Sequence, residues 1–359
     1  AAVNILIKPA SGSCNLSCDY CFYHDEADSR STRSFGMMSI ATLEAIVSKA
    51  LAAEERECTF GFQGGEPTLA GLGFFKTFTA LVKKYNTRNI KVSFALQTNG
   101  TLIDEQWATF FADNGFLVGL SLDGNAAMHD QYRKDSSGSG TFKQARRAAK
   151  ILTVHKAEFN VLCVVTASTA NQAKSIYRFF MHNNLPYQQY IPCLDSLDGQ
   201  SQQYSLTPTL YGQFLRDMFD VWFEDRKNDV FVYNRYFENL AGMLRRVPPE
   251  SCDMVGHCSV QYAIEADGSV YPCDFYMLDD FSLGNINTDS FDTLDQARMQ
   301  IGFIESSLAV PSKCQQCEWF SLCRNGCQRS RNEAGVLDLC EAYLAFFPYA
   351  YERLVSLVR

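Results

Sequence analysis

The sequence predicts an α/β protein whose first two thirds form a partial parallel barrel of six β–α units. Three observations favour this fold. Short apolar segments alternate with segments whose apolar residues recur at helical spacing. Six such units of this length follow one another, and 359 residues supply an ample core. Each predicted strand ends in a polar or glycine-rich turn. Because active sites of parallel barrels lie at the carboxyl ends of the strands, we expect chemistry at these turns.

Six strands are predicted from short apolar segments that end at turns. They are Val3 to Lys8, Cys58 to Phe62, Ile90 to Gln97, Phe116 to Ser121, Phe159 to Thr166 and Tyr187 to Pro192. Three helices are predicted to begin after residues whose side chains can cap them, namely Ser39, Asp104 and Thr141. Further helices are predicted at Phe74 to Tyr85, Asn171 to Asn183, Thr209 to Lys227, Asn234 to Arg246 and Ala342 to Val358.

The composition excludes several classes of partner. A net charge of −8 opposes binding to nucleic acid and to an anionic membrane surface, since both require cationic side chains. No apolar run approaches the roughly 20 residues that a membrane span needs. The first residues lack the basic region and long apolar core of a signal peptide, so we expect a cytoplasmic location.

Fourteen cysteines are many for a cytoplasmic protein, and eleven of them fall in two groups. A secreted disulfide scaffold would be shorter and would spread its cysteines more evenly, so ligation of metal or iron–sulfur clusters is favoured. The other three, Cys58, Cys163 and Cys193, fall on or beside predicted strands and are interpreted as small core residues.

The first group, Cys14, Cys18 and Cys21, has C-x3-C-x2-C spacing and directly follows the first strand. Three thiolates can hold three irons of a [4Fe–4S] cluster, whereas a ferredoxin-type cluster takes four. The fourth iron is then open to another ligand, and catalytic metal sites keep such a position open. The alternatives are buried thiols or a zinc site, for which His24 would supply the fourth ligand.

The second group comprises eight cysteines towards the C-terminal end: Cys252, Cys258, Cys273, Cys314, Cys317, Cys323, Cys327 and Cys340. Eight thiols suffice for two fully ligated [4Fe–4S] clusters or for two zinc sites, and the spacing does not decide between them. Asp267-Gly268 between apolar segments predicts a hairpin in this region. We therefore predict two domains, 1–230 for the barrel and 231–359 for the cysteine-rich part.

The loop Gln63-Gly64-Gly65-Glu66-Pro67 follows the second strand, and its glycines let the backbone approach a ligand closely. Together with the cysteine triplet it resembles the radical S-adenosylmethionine (SAM) superfamily. The resemblance implies that the open iron chelates SAM and that this loop holds the SAM amino group. It implies that Ser121 and Arg133 contact the ribose and carboxylate. It also implies that Tyr20 and Leu194 pack near the adenine. From the residues alone, these four would be a strand-end cap, a surface charge and two core residues.

The second cysteine group resembles the SPASM extension of radical SAM enzymes that modify peptides. That resemblance implies an auxiliary cluster on Cys252, Cys258, Cys273 and Cys327. It implies another on Cys314, Cys317, Cys323 and Cys340. With the cluster on the first group, the chain would hold three [4Fe–4S] clusters and SAM.

Four segments together resemble the anaerobic sulfatase-maturating enzymes over essentially the whole chain. They are Ile5 to Pro9, Phe62 to Gly71, Gln97 to Leu102 and Cys273 to Asp279. The resemblance implies oxidation of a Cys or Ser of a sulfatase to Cα-formylglycine (3-oxoalanine), with Asp274 as the proton acceptor. The implied partners are an unfolded sulfatase segment of the type Cys/Ser-x-Pro/Ala-x-Arg and an electron donor such as flavodoxin or ferredoxin.

Two other functions stay as hypotheses. One is another SPASM-type peptide maturase, for example an enzyme that forms thioether crosslinks; the segment Cys273 to Asp279 argues against it. The other is a non-catalytic metal or electron carrier that uses the eleven cysteines. That hypothesis leaves the Gly-Gly-Glu-Pro loop at a strand end unexplained.

Overall fold

Strands and helices alternate along the chain in the computed structural model, which describes residues 3–53 and 56–358. Its strands are β1 (Val3–Ile7), β2 (Glu57–Phe62), β3 (Lys91–Thr98), β4 (Phe116–Ser121), β5 (Glu158–Val165), β6 (Tyr187–Pro192), β7 (Tyr233–Asn234), β8 (Tyr262–Ile264), β9 (Ser269–Tyr271) and β10 (Gly284–Asn285).

The helices up to β7 are α1 (Phe22–Asp28), α2 (Ile40–Ala53), α3 (Leu72–Tyr85), α4 (Glu105–Asn114), α5 (Ala126–Tyr132), α6 (Phe142–Val154), α7 (Ala167–Ala170), α8 (Ala173–His182) and α9 (Pro208–Lys227). The later helices are α10 (Arg235–Leu244), α11 (Cys252–Val255), α12 (Phe291–Gln300), α13 (Phe303–Ser307), α14 (Ser312–Gln315), α15 (Phe320–Cys323) and α16 (Cys340–Val358). Within the described residues, none of these helices combines the length and the apolar character needed to cross a bilayer.

Two units can be distinguished by their internal contacts, and each is described by itself. The first comprises the chain up to residue 121 together with 130–159 and 260–303. In it, β1, β2, β3 and β4 are parallel neighbours in that order. Strand β8 pairs in parallel with β1, and β9 and β10 extend the sheet by antiparallel pairing. The antiparallel β8–β9 pair confirms the hairpin predicted at Asp267-Gly268.

The core of the first unit is aromatic. Phe62 on β2 lies against Phe78 on α3 with ring centroids 4.8 Å apart, and Phe94 and Phe116 pack at 5.0 Å. Such buried rings remove a large apolar area from water and stabilise the contact between sheet and helix. This packing fixes the strands whose carboxyl ends carry the predicted functional loops.

The second unit comprises 122–129, 160–259 and the chain from 304 onwards. Strands β5, β6 and β7 are parallel neighbours there. Phe219 on α9 contacts Phe237 on α10 at 5.3 Å and Phe346 on α16 at 5.7 Å between ring centroids. These rings hold α9, α10 and α16 together.

The six predicted strands are confirmed, with ends that shift by one residue or not at all. Periodicity did not predict α1, α5 or the two-residue strand β7. The caps at Ser39 and Asp104 are confirmed. Their side-chain oxygens accept hydrogen bonds from the backbone N–H of Thr42 and of Trp107, each three residues further along the chain. The side-chain cap predicted at Thr141 is wrong. Its hydroxyl donates to the carbonyl of Arg133 at 2.9 Å, and Asp130 accepts the bond from the first turn of α6 instead.

Candidate active site

The three N-terminal cysteines lie on the loop between β1 and α1 and are half-buried. The Cys21 N–H donates to the Cys18 carbonyl at 3.1 Å, and the thiols of Cys14 and Cys21 are close enough to interact electrostatically. Burial raises the pKa of Cys14 to about 11 and also raises the pKa of Cys21. Thiolates at this position therefore need a nearby positive charge, and a bound metal centre supplies one.

The Gly-Gly-Glu-Pro loop lies directly against the cysteine loop. The Glu66 N–H donates to the Ser13 carbonyl at 2.8 Å. Both loop glycines have positive φ, 79° at Gly64 and 52° at Gly65. A Cβ on Gly65 would lie 2.0 Å from the Ser13 oxygen, and one on Gly64 would lie 2.1 Å from Cε of Lys8. Glycine is required at both positions by conformation and by close approach.

The Glu66 carboxylate is buried and ties the end of β2 to the end of β3. Its Oε1 accepts from the Thr68 N–H at 3.1 Å, the Thr68 hydroxyl at 2.6 Å and the Thr98 hydroxyl at 2.7 Å. Its Oε2 accepts from the Asn99 N–H at 2.8 Å. Both oxygens thus bind protein donors, so the side chain of Glu66 holds the loop in place.

Asp274 lies in the first unit, directly after Cys273. The Tyr23 hydroxyl donates to its Oδ2 at 2.6 Å and also lies 2.8 Å from Oε1 of Gln63. Its Oδ1 is buried and has no hydrogen-bond partner among the described residues. Burial raises the pKa of Asp274, while Lys8 and the Tyr23 hydroxyl oppose that rise. One oxygen of this carboxylate is therefore held in place, and the other is available to accept a proton.

A set of buried charges lies beside this carboxylate. Lys8, which is 1% exposed, has its Nζ 3.8 Å from Glu26, 3.7 Å from Glu265 and 4.6 Å from the ring centroid of Tyr23. Arg30 pairs with Glu265 at 2.8 Å. Burial raises the pKa of Glu26 to about 7, although Lys8 opposes this. Burial also acts to raise the pKa of Glu265, but Lys8 and Arg30 outweigh it and lower that pKa.

Three of the predicted SAM contacts also lie in the first unit. The guanidinium of Arg133 lies over the ring of Tyr20 at 5.4 Å, and both side chains are buried. Arg133 also opposes the rise in the pKa of Cys21, which places it near the cysteine loop. Ser121 ends β4, where its hydroxyl accepts a hydrogen bond from Gln97 Nε2 at 3.1 Å.

The predicted ligands of one auxiliary cluster are divided between the two units. In the second unit, the thiols of Cys252, Cys258 and Cys327 interact electrostatically with one another. Burial raises the pKa of each, that of Cys252 to about 11. Cys273 is buried in the first unit, at the start of the turn that carries Asp274. Leu194, the fourth predicted SAM contact, is half-buried in the second unit after β6.

The other four cysteines of the second group line one cavity of about 310 Å³ within the second unit. They are Cys314, Cys317, Cys323 and Cys340. Trp319, Phe320, Tyr343 and Phe347 form much of the remaining wall. No group of three or more His, Cys, Asp or Glu side chains in the described ranges is arranged around a single metal ion. A [4Fe–4S] cluster binds each of its cysteines through a different iron, so its thiols surround a volume.

Comparison with known proteins identifies the family. Residues 9–179 match the Radical SAM superfamily, and 252–318 match SPASM, an iron–sulfur cluster-binding domain. A cysteine-type anaerobic sulfatase-maturating enzyme of Clostridium novyi (strain NT) is 45% identical over 100% of this chain and 98% of its own length. A serine-type anaerobic sulfatase-maturating enzyme of Klebsiella aerogenes is 34% identical over 96% and 84%. This chain belongs to the anaerobic sulfatase-maturating enzymes.

A solved structure agrees with this family assignment. Native anSMEcpe with bound AdoMet and Kp18Cys peptide superposes on this maturating enzyme with a TM-score of 0.95 and 44% identity, over 100% of this chain and 99% of that one. The predicted fold is confirmed as a mixed, mostly parallel α/β sheet with a radical SAM domain and a SPASM domain. The protein is a radical SAM enzyme that uses SAM and a [4Fe–4S] cluster, and its SPASM domain binds additional iron–sulfur clusters.

The residues of this maturating enzyme fit those groups. The first cysteine loop offers three thiols beside a glycine loop that packs closely against Ser13 and Lys8. The cavity of the second unit offers four thiols and apolar walls. These donor sets match a cluster with one open iron and a cluster that is fully ligated.

Sequence reasoning missed several residues of the site, chiefly Lys8, Tyr23 and Asn99. Each belongs to or adjoins a segment that resembled the family, so a signal was present. Periodicity gives no role to a lysine at the end of a buried strand, and only the fold brings Tyr23 to Asp274. A buried lysine is itself a marker, because charged side chains are rarely buried without partners.

Proposed function

We propose that this maturating enzyme oxidises a cysteine of a sulfatase segment to Cα-formylglycine, and that it accepts serine less well. The main support is the 45% identity to a cysteine-type enzyme over the full chain, against 34% to a serine-type enzyme. The similar structure of anSMEcpe holds a Kp18Cys peptide, which supports a peptide as substrate. The proposed peptide is an unfolded sulfatase segment of the type Cys/Ser-x-Pro/Ala-x-Arg.

In this proposal the chain's own residues hold and orient the reactants. Cys14, Cys18 and Cys21 ligate the cluster with the open iron. The backbone of residues 63–66 binds the SAM amino group, with Glu66 fixing the loop. SAM bound at that iron supplies the radical that removes a hydrogen atom from the substrate Cβ.

The remaining SAM contacts are proposed from the buried groups described above. Arg133 binds the SAM carboxylate, for which a guanidinium fork is well suited, and Ser121 binds the ribose. Tyr20 and Leu194 pack against the adenine. The stacking of Arg133 on Tyr20 fixes both side chains and supports this arrangement.

Asp274 is proposed as the proton acceptor. Its Oδ1 is buried and has no hydrogen-bond partner among the described residues, while the Tyr23 hydroxyl donates to Oδ2. The proton from the substrate would therefore go to Oδ1. Oxidation of a cysteine to its thioaldehyde removes one hydrogen atom from Cβ, one proton from sulfur and one electron. Water then replaces sulfur and releases hydrogen sulfide, which leaves the aldehyde.

In this proposal an auxiliary cluster, when bound, would accept the last electron. One auxiliary cluster is assigned to Cys252, Cys258, Cys273 and Cys327. The other is assigned to Cys314, Cys317, Cys323 and Cys340. We propose domain boundaries of 1–230 and 231–359, which is supported because the two family matches fall on opposite sides of that boundary. Flavodoxin or ferredoxin as electron donor and a cytoplasmic location complete the proposal, since such clusters need a reducing compartment.

The test is an anaerobic turnover of cluster-loaded protein with SAM, a reductant and two peptides that differ only in Cys or Ser at the modified position. Mass spectrometry follows the aldehyde and deoxyadenosine. We expect formylglycine from both peptides, with at least a severalfold higher rate from the Cys peptide. Deoxyadenosine without aldehyde from either peptide would overturn the proposed substrate, and a faster Ser peptide would overturn the preference.

A further inference from the structure

The side-chain amide of Asn99 contacts the sulfur of Cys14. Asn99 follows β3 and is 8% exposed. Its Nδ2 lies 3.8 Å from Cys14 Sγ, and the backbone N–H of Leu16 donates to the same sulfur at 3.4 Å. A thiolate accepts hydrogen bonds from such donors, so Cys14 has two N–H groups directed at it.

The orientation of the Asn99 amide is fixed by its neighbours. Its Oδ1 accepts from the Thr101 N–H at 3.0 Å and from the Thr101 hydroxyl at 2.7 Å. Its Nδ2 also donates to Asn15 Oδ1 at 2.9 Å, and Asn15 Nδ2 donates to the Thr101 hydroxyl at 2.8 Å. A flipped amide would direct its oxygen at another oxygen and lose both Thr101 bonds. The NH₂ group must therefore face Cys14.

The backbone of Asn99 is held as firmly as its side chain. Its N–H donates at 2.8 Å to the buried carboxylate of Glu66, whose own N–H donates to the Ser13 carbonyl beside Cys14. Hydrogen bonds thus join the Gly-Gly-Glu-Pro loop, the end of β3 and the cysteine loop into one network. Within that network Asn99 contacts the sulfur of a predicted cluster ligand and is not itself a ligand.

We propose that Asn99 is a positioning residue that raises the reduction potential of the radical SAM cluster by donating a hydrogen bond to Cys14. This inference rests on the proposed role of Cys14 as a ligand. Reduction adds negative charge to a cluster, and an N–H dipole directed at its sulfur stabilises the reduced state more than the oxidised state. Because turnover begins with reduction of this cluster, Asn99 determines how strong a reductant the enzyme needs.

The first test compares the wild type with Asn99→Leu, which keeps the shape and removes the donor, and with Asn99→Asp, which replaces it by a charge. Each loaded protein is reduced stepwise without substrate, and electron paramagnetic resonance follows the cluster whose signal changes when SAM is added. At the potential that half-reduces the wild-type cluster, we expect about a fivefold lower ratio of reduced to oxidised cluster in Asn99→Leu. The ratio of reduced to oxidised cluster is expected to be lower still in Asn99→Asp. Asn239→Leu, which removes another buried Asn, is the matched control and should titrate like the wild type.

A ratio within twofold of the wild type in both loaded Asn99 variants would overturn the proposal. Should neither variant load its cluster, the wild type labelled with ¹⁵N in asparagine side chains gives the answer. Hyperfine spectra of its reduced SAM-responsive cluster should show a nitrogen coupling that changes with the label, and its absence would also overturn the proposal. Neither readout needs the peptide, so failure here is distinct from failure to make formylglycine.

Discussion

The two cysteine environments of this enzyme differ in their surroundings as well as in their number of thiols. The loop of Cys14, Cys18 and Cys21 has a buried lysine and several buried carboxylates in its unit. Cys314 and its three partners line a cavity whose wall includes four aromatic side chains. Three thiols would leave one iron for SAM, and the Asp274 carboxylate of the same unit is the proposed acceptor of a proton from the peptide. Four thiols would ligate every iron of a cluster and leave none open.

The comparison teaches that a cluster's task can be read from what the protein places around it. The first region supplies a buried Asp274 oxygen that has no hydrogen-bond partner among the described residues, and a loop whose glycines pack closely against Lys8 and Ser13. The second region supplies Trp319 stacked on Phe347 with ring centroids 5.8 Å apart. The first arrangement fits the proposed handling of protons and SAM, whereas the second fits the proposed transfer of an electron.

The largest effect is expected from Cys14→Ala. Removing one of only three ligands leaves two, so the reactive cluster is lost and deoxyadenosine formation should fall to background. The control is Cys58→Ala, which deletes a buried thiol on β2 outside the proposed ligand sets. It should keep its rate within about twofold and lose about 1 kcal/mol of stability. Deoxyadenosine at wild-type rates from Cys14→Ala would contradict the division of the two regions.

The next effect is expected from Asp274→Asn, which removes the proton acceptor but keeps the shape. Deoxyadenosine should still form, whereas formylglycine should fall by about 10²-fold or more, the usual contribution of a general base. The ratio of the two products, measured by mass spectrometry, checks this. Asp280→Asn, an exposed residue of the same segment, should keep the wild-type ratio. An unchanged ratio in Asp274→Asn would remove this carboxylate from the mechanism.

A smaller loss of product is expected from Cys317→Ala in the aromatic cavity. We expect about four fewer irons per chain, because a cluster without one of its four thiols is lost. Formylglycine should fall about tenfold while SAM cleavage persists, since the open cluster is intact. Iron analysis and both products are measured together, with Cys163→Ala as the control for a buried thiol outside the clusters. Loss of SAM cleavage as well would contradict separate roles for the two regions.

The smallest effect concerns pH. Glu26 has its pKa raised to about 7 by burial, so the folded state keeps a proton that an unfolded chain releases near pH 4.5. Stability therefore falls as pH rises from about 4.5 to about 7, because the folded state binds more protons there. At pH 8, Glu26→Gln should have a free energy of unfolding up to about 3 kcal/mol larger than that of the wild type, and therefore a higher unfolding temperature. Below about pH 4.5 the variant should show no gain in stability. Exposed Glu333→Gln is the control. An equal rise in unfolding temperature at both pH values would contradict a raised pKa for Glu26.

The sequence predicted the parallel strands, the cysteine groups and the glycine loop because these are local patterns. It could not predict contacts made across the chain. Tyr23 meets Asp274 only because β9 returns to the first unit, and β8 pairs with β1 although the two are far apart in sequence. Thr141 shows a local failure. Its hydroxyl can either accept a hydrogen bond from a helix N–H or donate one to a carbonyl, and the fold supplied the Arg133 carbonyl. Spacing alone likewise gave no hint that the Asn99 amide faces a sulfur.

The start of α16 at Cys340 links a cofactor to the folding of a helix. Cys340 lines the aromatic cavity, and the same helix carries Phe346 into contact with Phe219 of α9. A cluster that bridges Cys314 and Cys340 crosslinks this helix to an earlier turn, and metal binding free energy then becomes folding free energy. Scarcity of iron would accordingly lower the amount of protease-resistant protein in the cell, before any question of turnover arises.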